Sequence, residues 1–233
     1  REAGRVSDGP GAGDGTSEAG PVVSVVVVDD ESLVRSGIAM VLGASPRIAV
    51  RAAVSSDTAV ATVREHAPDV VLLDIRMPAP DGLAILAELM AEPRPPAVAM
   101  LTTFDTDDQV LEALHRGASG FLLKDTDPEQ LARHVLTLAS GGIVLAPGLR
   151  PGRLFRSLED DAARARVARL GDRETIVLKA LARGLSNAEI VAECGLTLGT
   201  VKETVSSIVQ ALGVGTRVEA AVVADRAGLV PRR

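Results

Sequence analysis

Apolar runs alternate with helical spacings of apolar residues over the first two thirds of the chain. The runs lack polar alternation, which is typical of strands buried on both faces of a sheet. Helical spacing follows each run. The predicted strands are Val22–Val28, Ile48–Val54, Val70–Leu73, Val98–Leu101 and Gly120–Leu123, and the predicted helices are Ser32–Leu42, Asp57–His66 with Asp57 as N-cap, Gly82–Met90, Asp107–Gly117 and Pro128–Ser140 with Asp127 as N-cap.

Five β–α units in succession predict the fold class of residues 22–140. Strands that alternate with helices form a parallel sheet, with right-handed crossovers that place helices on both faces. We therefore expect an α/β, doubly wound, five-stranded parallel sheet of the flavodoxin-like type.

The remaining sequence predicts a linker and a small all-α domain. Residues 141–168 are a Gly-, Pro- and Arg-rich linker, helical over Leu158–Ala168, and residues 169–230 have a four-helix pattern. Asp172, Ser186, Thr197 and Thr216 are the expected N-caps of these helices. Two short helices joined by a tight turn within such a unit predict a helix-turn-helix.

Composition narrows the possible functions. Residues 1–21 have no apolar periodicity and are expected to form a disordered tail. One Cys and three His argue against a disulfide or a zinc cluster, and the absence of Trp and Tyr argues against base stacking. No apolar run reaches the roughly 18 residues of a membrane span. We therefore expect a cytoplasmic protein with no membrane partner.

Polar residues follow four of the predicted strands. Asp29 and Asp30 follow the first, Asp74 the third, Thr102 the fourth and Lys124 the fifth. Ligands of parallel α/β sheets bind outside the carboxyl ends of the strands. Converging carboxylates repel one another unless a cation is present, and hard oxygen ligands of this kind suit Mg²⁺.

This arrangement predicts phosphoryl chemistry. A carboxylate beside Mg²⁺ can act as a nucleophile and become an aspartyl phosphate. We expect Asp74 to be the phospho-acceptor and a metal ligand with Asp30, and Asp29 to bind the metal through water. Thr102 and Lys124 would then hold the phosphoryl oxygens.

The same residues lie in motifs that resemble a known family. The stretches VVVVDDESLVRSG, VVLLDIRMPAPDGL, VAMLTTFDTDDQV and EALHRGASGFLLKD resemble the receiver domain of two-component response regulators. The stretch from Asp172 to Val214 resembles a LuxR-type helix-turn-helix, and the combination is similar to the NarL/FixJ subfamily. The resemblance covers about residues 22–230.

The resemblance implies further roles and partners. A sensor histidine kinase would phosphorylate Asp74, and the phosphorylated protein would bind promoter DNA as a homodimer. The backbone carbonyl of Arg76 would complete the metal shell. Phe121 lies where the family has an aromatic switch residue that acts with Thr102, although a core Phe is an equal alternative. The protein would be no enzyme beyond promoting its own phosphoryl transfer and hydrolysis.

The predicted recognition helix departs from the family pattern. Thr204, Ser207 and Ala211 replace the usual polar or basic residues, and Glu203 adds a negative charge beside Lys202. Residues 169–230 contain seven basic and seven acidic residues, so this domain has no net positive charge to attract DNA phosphates. The candidate DNA contacts are Thr200, Val201, Lys202, Thr204 and Ser207.

Two other functions compete with a phosphorylation-switched transcription factor. The depleted recognition helix raises the possibility of a helical domain that binds a protein partner instead of DNA. A haloacid-dehalogenase-like phosphatase also uses strand-end aspartates, but it needs a nucleophile-x-Asp arrangement after the first strand. Asp29-Asp30-Glu31 lacks that spacing.

Overall fold

Six parallel strands form one sheet in the order β2-β1-β3-β4-β5-β6. The computed structural model describes residues 21–103, 107–145 and 160–230. The strands are β1 (Val23–Val28), β2 (Ile48–Val54), β3 (Val70–Asp74), β4 (Ala97–Thr102), β5 (Gly120–Leu123) and β6 (Val144–Leu145). A helix follows each of the first five: α1 (Ser32–Gly43), α2 (Ala59–His66), α3 (Gly82–Met90), α4 (Asp107–His115) and α5 (Pro128–Ala139).

The doubly wound parallel sheet is confirmed, but the prediction of five strands is wrong. Val144 pairs with Gly120 and Leu145 pairs with Phe121, so β6 extends the sheet in parallel beyond β5. Two residues are too few to display a period in the sequence. The strand forms because β5 would otherwise present an unpaired edge.

Asp57 and Asp127 are the predicted N-caps of two helices beside the sheet, and their outcomes differ. The carboxylate of Asp127 accepts hydrogen bonds from the backbone N–H groups of Glu129 and Gln130, as expected of an N-cap. Asp57 is not the cap of α2. It lies in a 3₁₀ turn, Ser56–Thr58, and its carboxylate accepts a hydrogen bond from the Ser55 hydroxyl.

The sheet is buried on both faces. Alternate strand residues point to opposite sides, so Val26, Val28, Val71 and Leu73 pack under α2, α3 and α4. Their neighbours Val25, Val27, Val70 and Leu72 pack under α1 and α5. The strand ends lie along one edge of the sheet, where the polar side chains of the predicted site come together.

Five helices lie within the described residues 160–230: α6 (Asp160–Val167), α7 (Asp172–Ala182), α8 (Asn187–Cys194), α9 (Leu198–Leu212) and α10 (Arg217–Arg226). Ser186, Thr197 and Thr216 cap α8, α9 and α10 as predicted, each by accepting a backbone N–H. Asp172 is the first residue of α7, and Gly171 is its N-cap. The predicted tail, apart from Pro21, and linker residues 146–159 lie outside the described residues.

The C-terminal helices contact the sheet through α10. Val218 and Val222 join the apolar cluster under α4, and the Asn187 N–H donates to the Ser140 carbonyl at 3.0 Å. The His115 ring pairs with the Glu219 carboxylate. Within the described ranges, no single helix has the length and apolarity to cross a bilayer. Only α9 and α10 together reach that length and apolarity, and they form a bent pair.

Candidate functional site

Four polar side chains meet at the carboxyl edge of the sheet because of the strand register. Val28 pairs with Leu73, so Asp29 and Asp74 follow at neighbouring positions. Asp74 pairs with Leu101, which precedes Thr102, and Thr102 pairs with Leu123, which precedes Lys124. The expected convergence of these residues is therefore a consequence of a parallel sheet with no register slip at this edge.

Lys124 is the cation at the centre of this group. Its Nζ lies 2.9 Å from Asp29 Oδ2 and 3.0 Å from Asp74 Oδ2. Glu31 Oε1 is 3.1 Å away at the solvent side. The Lys124 side chain is only 9% exposed, and Asp29 is fully buried, so solvent screens these ion pairs little. One ammonium thus contacts three carboxylates.

The protonation of the cluster follows from this geometry. Burial acts to lower the pKa of Lys124, but its contacts with Asp29, Asp74 and Glu31 outweigh burial and hold the pKa above its ordinary value. Burial raises the pKa of the Asp74 carboxyl, against opposing contributions from Lys124 and the Arg76 N–H. Lys124 is therefore charged at neutral pH, and the carboxylate of Asp74 is less stable than one in water.

The carboxylates form a possible cation site, but its members differ from the predicted set. Ligand oxygens of Asp29, Glu31 and Asp74 lie within 4.8 Å of one another. The Asp30 oxygens instead accept from the Ser56 N–H at 2.8 Å and from the Ser56 hydroxyl at 3.2 Å. Asp30 therefore does not face the group in this structure, and its predicted part in metal binding stays a prediction. Glu31 is the third acid of the Asp29-Asp30-Glu31 run, and sequence reasoning missed it.

Arg76 contacts the predicted phospho-acceptor through its backbone. Its N–H donates to Asp74 Oδ1 at 3.2 Å, while Lys124 occupies Oδ2. The predicted role of the Arg76 backbone carbonyl as a metal ligand stays a prediction. The amide contact orients the carboxyl group and contributes to lowering its pKa.

Thr102 and Phe121 are both buried beside the site. Thr102 is 2% exposed at the end of β4, and its carbonyl accepts from the Lys124 N–H at 2.8 Å. Phe121 is 1% exposed, pairs with Met100 and packs in the cluster beneath α4. Phe121 is thus a core residue here, and its predicted part in a switch stays a prediction.

Gly82 brings α3 against β3, the strand that ends at Asp74. A Cβ at this position would lie 2.2 Å from the Asp74 carbonyl oxygen and 2.8 Å from Ile75 Cα. Both are backbone atoms that cannot rotate away. Asp81 caps the helix by accepting from the Ala84 N–H. The sequence predicts Gly82 as the first residue of a helix, and the structure shows in addition that packing at this site requires a glycine there.

The second candidate site is the outer face of α9. Lys202 and Ser207 are exposed, and Thr200 is half-buried. The Thr200 N–H and hydroxyl both contact the Thr197 hydroxyl at the helix start, and the Ser207 hydroxyl donates to Glu174 at 2.5 Å. Of these three predicted DNA contacts, only Lys202 has a side chain without a hydrogen bond or ion pair to another residue that the structure describes.

The other two predicted DNA contacts are wrong because their side chains face inward. Val201 is fully buried in the helical core, and Thr204 is 7% exposed. The Thr204 hydroxyl donates back to the Thr200 carbonyl at 2.7 Å. Residues three and four apart share a helix face, so these two positions anchor α9 together with Ile208 and Leu212. The outer face is instead formed by Lys202, Glu203, Ser206, Ser207 and Gln210.

Family models match both parts of the chain. Residues 25–136 match the response regulator receiver domain, and residues 168–224 match the bacterial regulatory proteins of the luxR family. The two matches lie in the order that the motifs predict and contain the strand-end cluster and α7–α9.

Whole-chain relatives agree with these matches. The chain is 35% identical over 217 residues to the transcriptional regulatory protein LnrK of Bacillus subtilis, covering 89% of this chain and 99% of LnrK. It is 36% identical over 209 residues to a probable transcriptional regulatory protein NarL of Mycobacterium tuberculosis, covering 89% and 96%.

A solved structure extends the agreement to the fold. The receiver domain of the putative response regulator NarL from Mycobacterium tuberculosis superimposes with a TM-score of 0.50 at 36% identity, covering 52% of this chain and 98% of that domain. The chain therefore belongs to the two-component response regulators that join a receiver domain to a LuxR-type helix-turn-helix domain.

Proposed function

We propose that a sensor histidine kinase phosphorylates this response regulator on Asp74, and that the phosphorylated protein binds promoter DNA as a dimer to regulate transcription. The proposed phosphorylation of Asp74 rests on the buried Lys124 ammonium, whose Nζ lies 3.0 Å from Asp74 Oδ2 and 2.9 Å from Asp29 Oδ2. A pre-positioned cation beside a carboxylate nucleophile supports transfer of an anionic group.

In the proposed step, an Asp74 carboxylate oxygen attacks the phosphorus of a phosphohistidine on the kinase. The P–N bond breaks as the P–O bond forms, and the electron pair leaves on the imidazole nitrogen, which takes a proton from solvent. Lys124 can follow the developing charge from the carboxylate to the phosphoryl oxygens. Thr102, next in register, would offer its hydroxyl as a donor.

Mg²⁺ fits the chemistry of the donors at this edge. Asp29, Glu31 and Asp74 offer hard carboxylate oxygens within 4.8 Å of one another. Asp30 would join them on leaving Ser56, with the Arg76 carbonyl alongside, as the resemblance implies. When bound, the ion would supply positive charge to balance the incoming phosphoryl group.

Phosphorylation is tested by the intact mass of the full chain after incubation with Mg²⁺ and a small-molecule phosphodonor. We expect the wild type to gain one phosphoryl group and Asp74→Asn to gain none. Asp57→Asn is the matched control, because Asp57 is an exposed carboxylate outside the cluster, and it should be modified like the wild type. Equal modification of Asp74→Asn would contradict the assignment.

The outer face of α9 supports the DNA-binding half of the proposal. The helix follows the Thr197 cap after a turn at Gly195, and its buried stripe fixes which side chains point outward. Transcriptional regulators among the relatives favour DNA over the alternative of a protein partner. A protein that acts on promoter DNA would work in the cytoplasm.

Dimerisation is part of the proposal because one helical domain carries few cations. Residues 169–230 have no net charge, so phosphate contacts alone would hold a single copy weakly. Two linked copies on adjacent half-sites raise the effective concentration of the second contact. Selection from a random duplex pool should therefore enrich a two-fold-symmetric site with the phosphorylated wild type. Absence of any enriched site would refute the DNA-binding proposal.

A further inference from the structure

The exposed face of α9 has an unusual charge arrangement for a helix that approaches DNA. Lys202 and Glu203 are adjacent and both exposed, while their neighbours Val201 and Thr204 are buried. Burial on both sides fixes the rotation of the helix about its axis. Lys202 and Glu203 must therefore both point away from the domain core.

The two serine hydroxyls of this face are engaged within the protein. The Ser206 hydroxyl donates to the Lys202 carbonyl at 3.1 Å, and the Ser207 hydroxyl donates to Glu174 at 2.5 Å. No hydrogen bond or ion pair joins the side chain of Lys202 or Glu203 to any residue that the structure describes. These two side chains are the charged groups that α9 offers to a partner.

A carboxylate on this face discriminates between base edges in the major groove. Guanine presents two acceptors there, thymine an acceptor and a methyl group, and adenine an acceptor beside its donor. Cytosine presents only its N4 amino group. A carboxylate accepts from that donor, whereas it is repelled by an acceptor at the same place.

We infer that Glu203 is a specificity-determining residue that selects cytosine by accepting a hydrogen bond from its N4 amino group. This inference rests on the proposed DNA-binding function and identifies the base that the site reads. Lys202, one position earlier, is placed to donate to the O6 and N7 acceptors of a nearby guanine or to a phosphate.

The negative charge of Glu203 makes this contact a source of specificity and not of general affinity. A carboxylate close to the phosphates costs binding energy unless it meets a donor, so Glu203 weakens binding to every sequence that lacks one. Arg173 lines the same shallow cleft as Glu203, together with the carboxylates of Asp172 and Glu174, so the cleft has no excess of positive charge to offset Glu203. The expected discrimination of one good base contact is roughly tenfold to a hundredfold in affinity.

The test is selection from a random duplex pool by the full-length, phosphorylated wild type, Glu203→Gln and Glu203→Ala. The wild type should enrich a site with a cytosine that is invariant in each half-site. Glu203→Gln should replace that cytosine by adenine, because a glutamine amide pairs with adenine N6 and N7. Glu203→Ala should lose the preference at that position and retain the rest of the site.

Glu193→Gln is the matched control. Glu193 is an exposed carboxylate on the neighbouring helix α8 and pairs with Arg183, so its loss changes the charge of the domain equally. The control should select the wild-type site. If both Glu203 variants also select the wild-type site, the inference is overturned while DNA binding stands. If the wild type selects no site, both the inference and the proposed function fail.

Discussion

Replacement of Lys124 by methionine tests the electrostatic account of the strand-end cluster. The substitution keeps the aliphatic stem and removes the ammonium that contacts Asp29, Asp74 and Glu31. Because the Lys124 side chain is 9% exposed and Asp29 is fully buried, the carboxylates left behind are poorly solvated. Breaking a buried ion pair by removing one partner costs about 3–5 kcal/mol. We expect a loss of that size in the free energy of unfolding at neutral pH without Mg²⁺.

The pH dependence of this loss has a defined sign. The pKa of Lys124 is raised on folding, so its stabilisation is fully present below its ordinary pKa of 10.5 and is lost only as the pH rises through the higher folded value. The wild type therefore retains it throughout the neutral range. In Lys124→Met the carboxylates lack their cation, and protonation relieves their repulsion. The difference between variant and wild type should shrink as the pH falls towards 5.

The chain has no Trp or Tyr, so urea unfolding is followed by far-ultraviolet circular dichroism of the full-length protein. Lys179→Met is the matched control: Lys179 is exposed on α7, and its replacement should cost less than about 0.5 kcal/mol. Mg²⁺ should restore part of the stability of Lys124→Met by binding the freed carboxylates. Equal, small losses for both lysine variants would refute the reasoning.

Three further substitutions test other parts of the structure. Gly82→Ala should destabilise the protein by about 2–3 kcal/mol, because its Cβ would overlap backbone atoms. Gly37→Ala, in an open helical position, should stabilise the protein by about 0.5–1 kcal/mol. Equal stabilities of the two variants in urea unfolding would contradict the packing argument. Lys202→Ala should weaken DNA binding and lower the salt slope by about 1, whereas buried Thr204→Val should leave both unchanged; anisotropy titrations that reverse this order would place Thr204 at the interface. Glu219→Ala should cost about 1–3 kcal/mol, since its carboxylate accepts from backbone N–H groups at the start of α10 and pairs with His115; no change in the unfolding midpoint would argue against both contacts.

The parallel sheet and the strand-end residues could be predicted because their signals are local. Each buried strand is a short apolar run that ends in a polar residue, and a parallel arrangement then brings Asp29, Asp74, Thr102 and Lys124 to one edge. Ser186 with Glu189 is a local capping signal of the same kind. Both required only neighbouring residues and a known architecture.

The features that could not be predicted from the sequence depend on contacts between distant residues. The two residues of β6 form a strand only because β5 has an open edge. The Asp30 carboxylate accepts a hydrogen bond from Ser56, 26 positions away, and Glu31 lies in the cluster in its place. Neither interaction has a sequence pattern of its own.

The inward rotation of α9 is a different case. Val201, Thr204, Ile208 and Leu212 recur at spacings of three and four, which is the pattern of a buried helix face. The helical period of the sequence therefore contained the information that Val201 and Thr204 face the core. Alignment with the family motif placed both at the DNA surface, where the burial pattern does not allow them.

We propose that phosphorylation of Asp74 controls DNA binding. The most direct test of this control is the affinity of full-length wild type and Asp74→Asn for the selected duplex, measured by fluorescence anisotropy with Mg²⁺, with and without the phosphodonor. The account predicts that the phosphodonor tightens binding by the wild type at least tenfold and leaves Asp74→Asn unchanged. Equal affinities for both proteins under both conditions would contradict it.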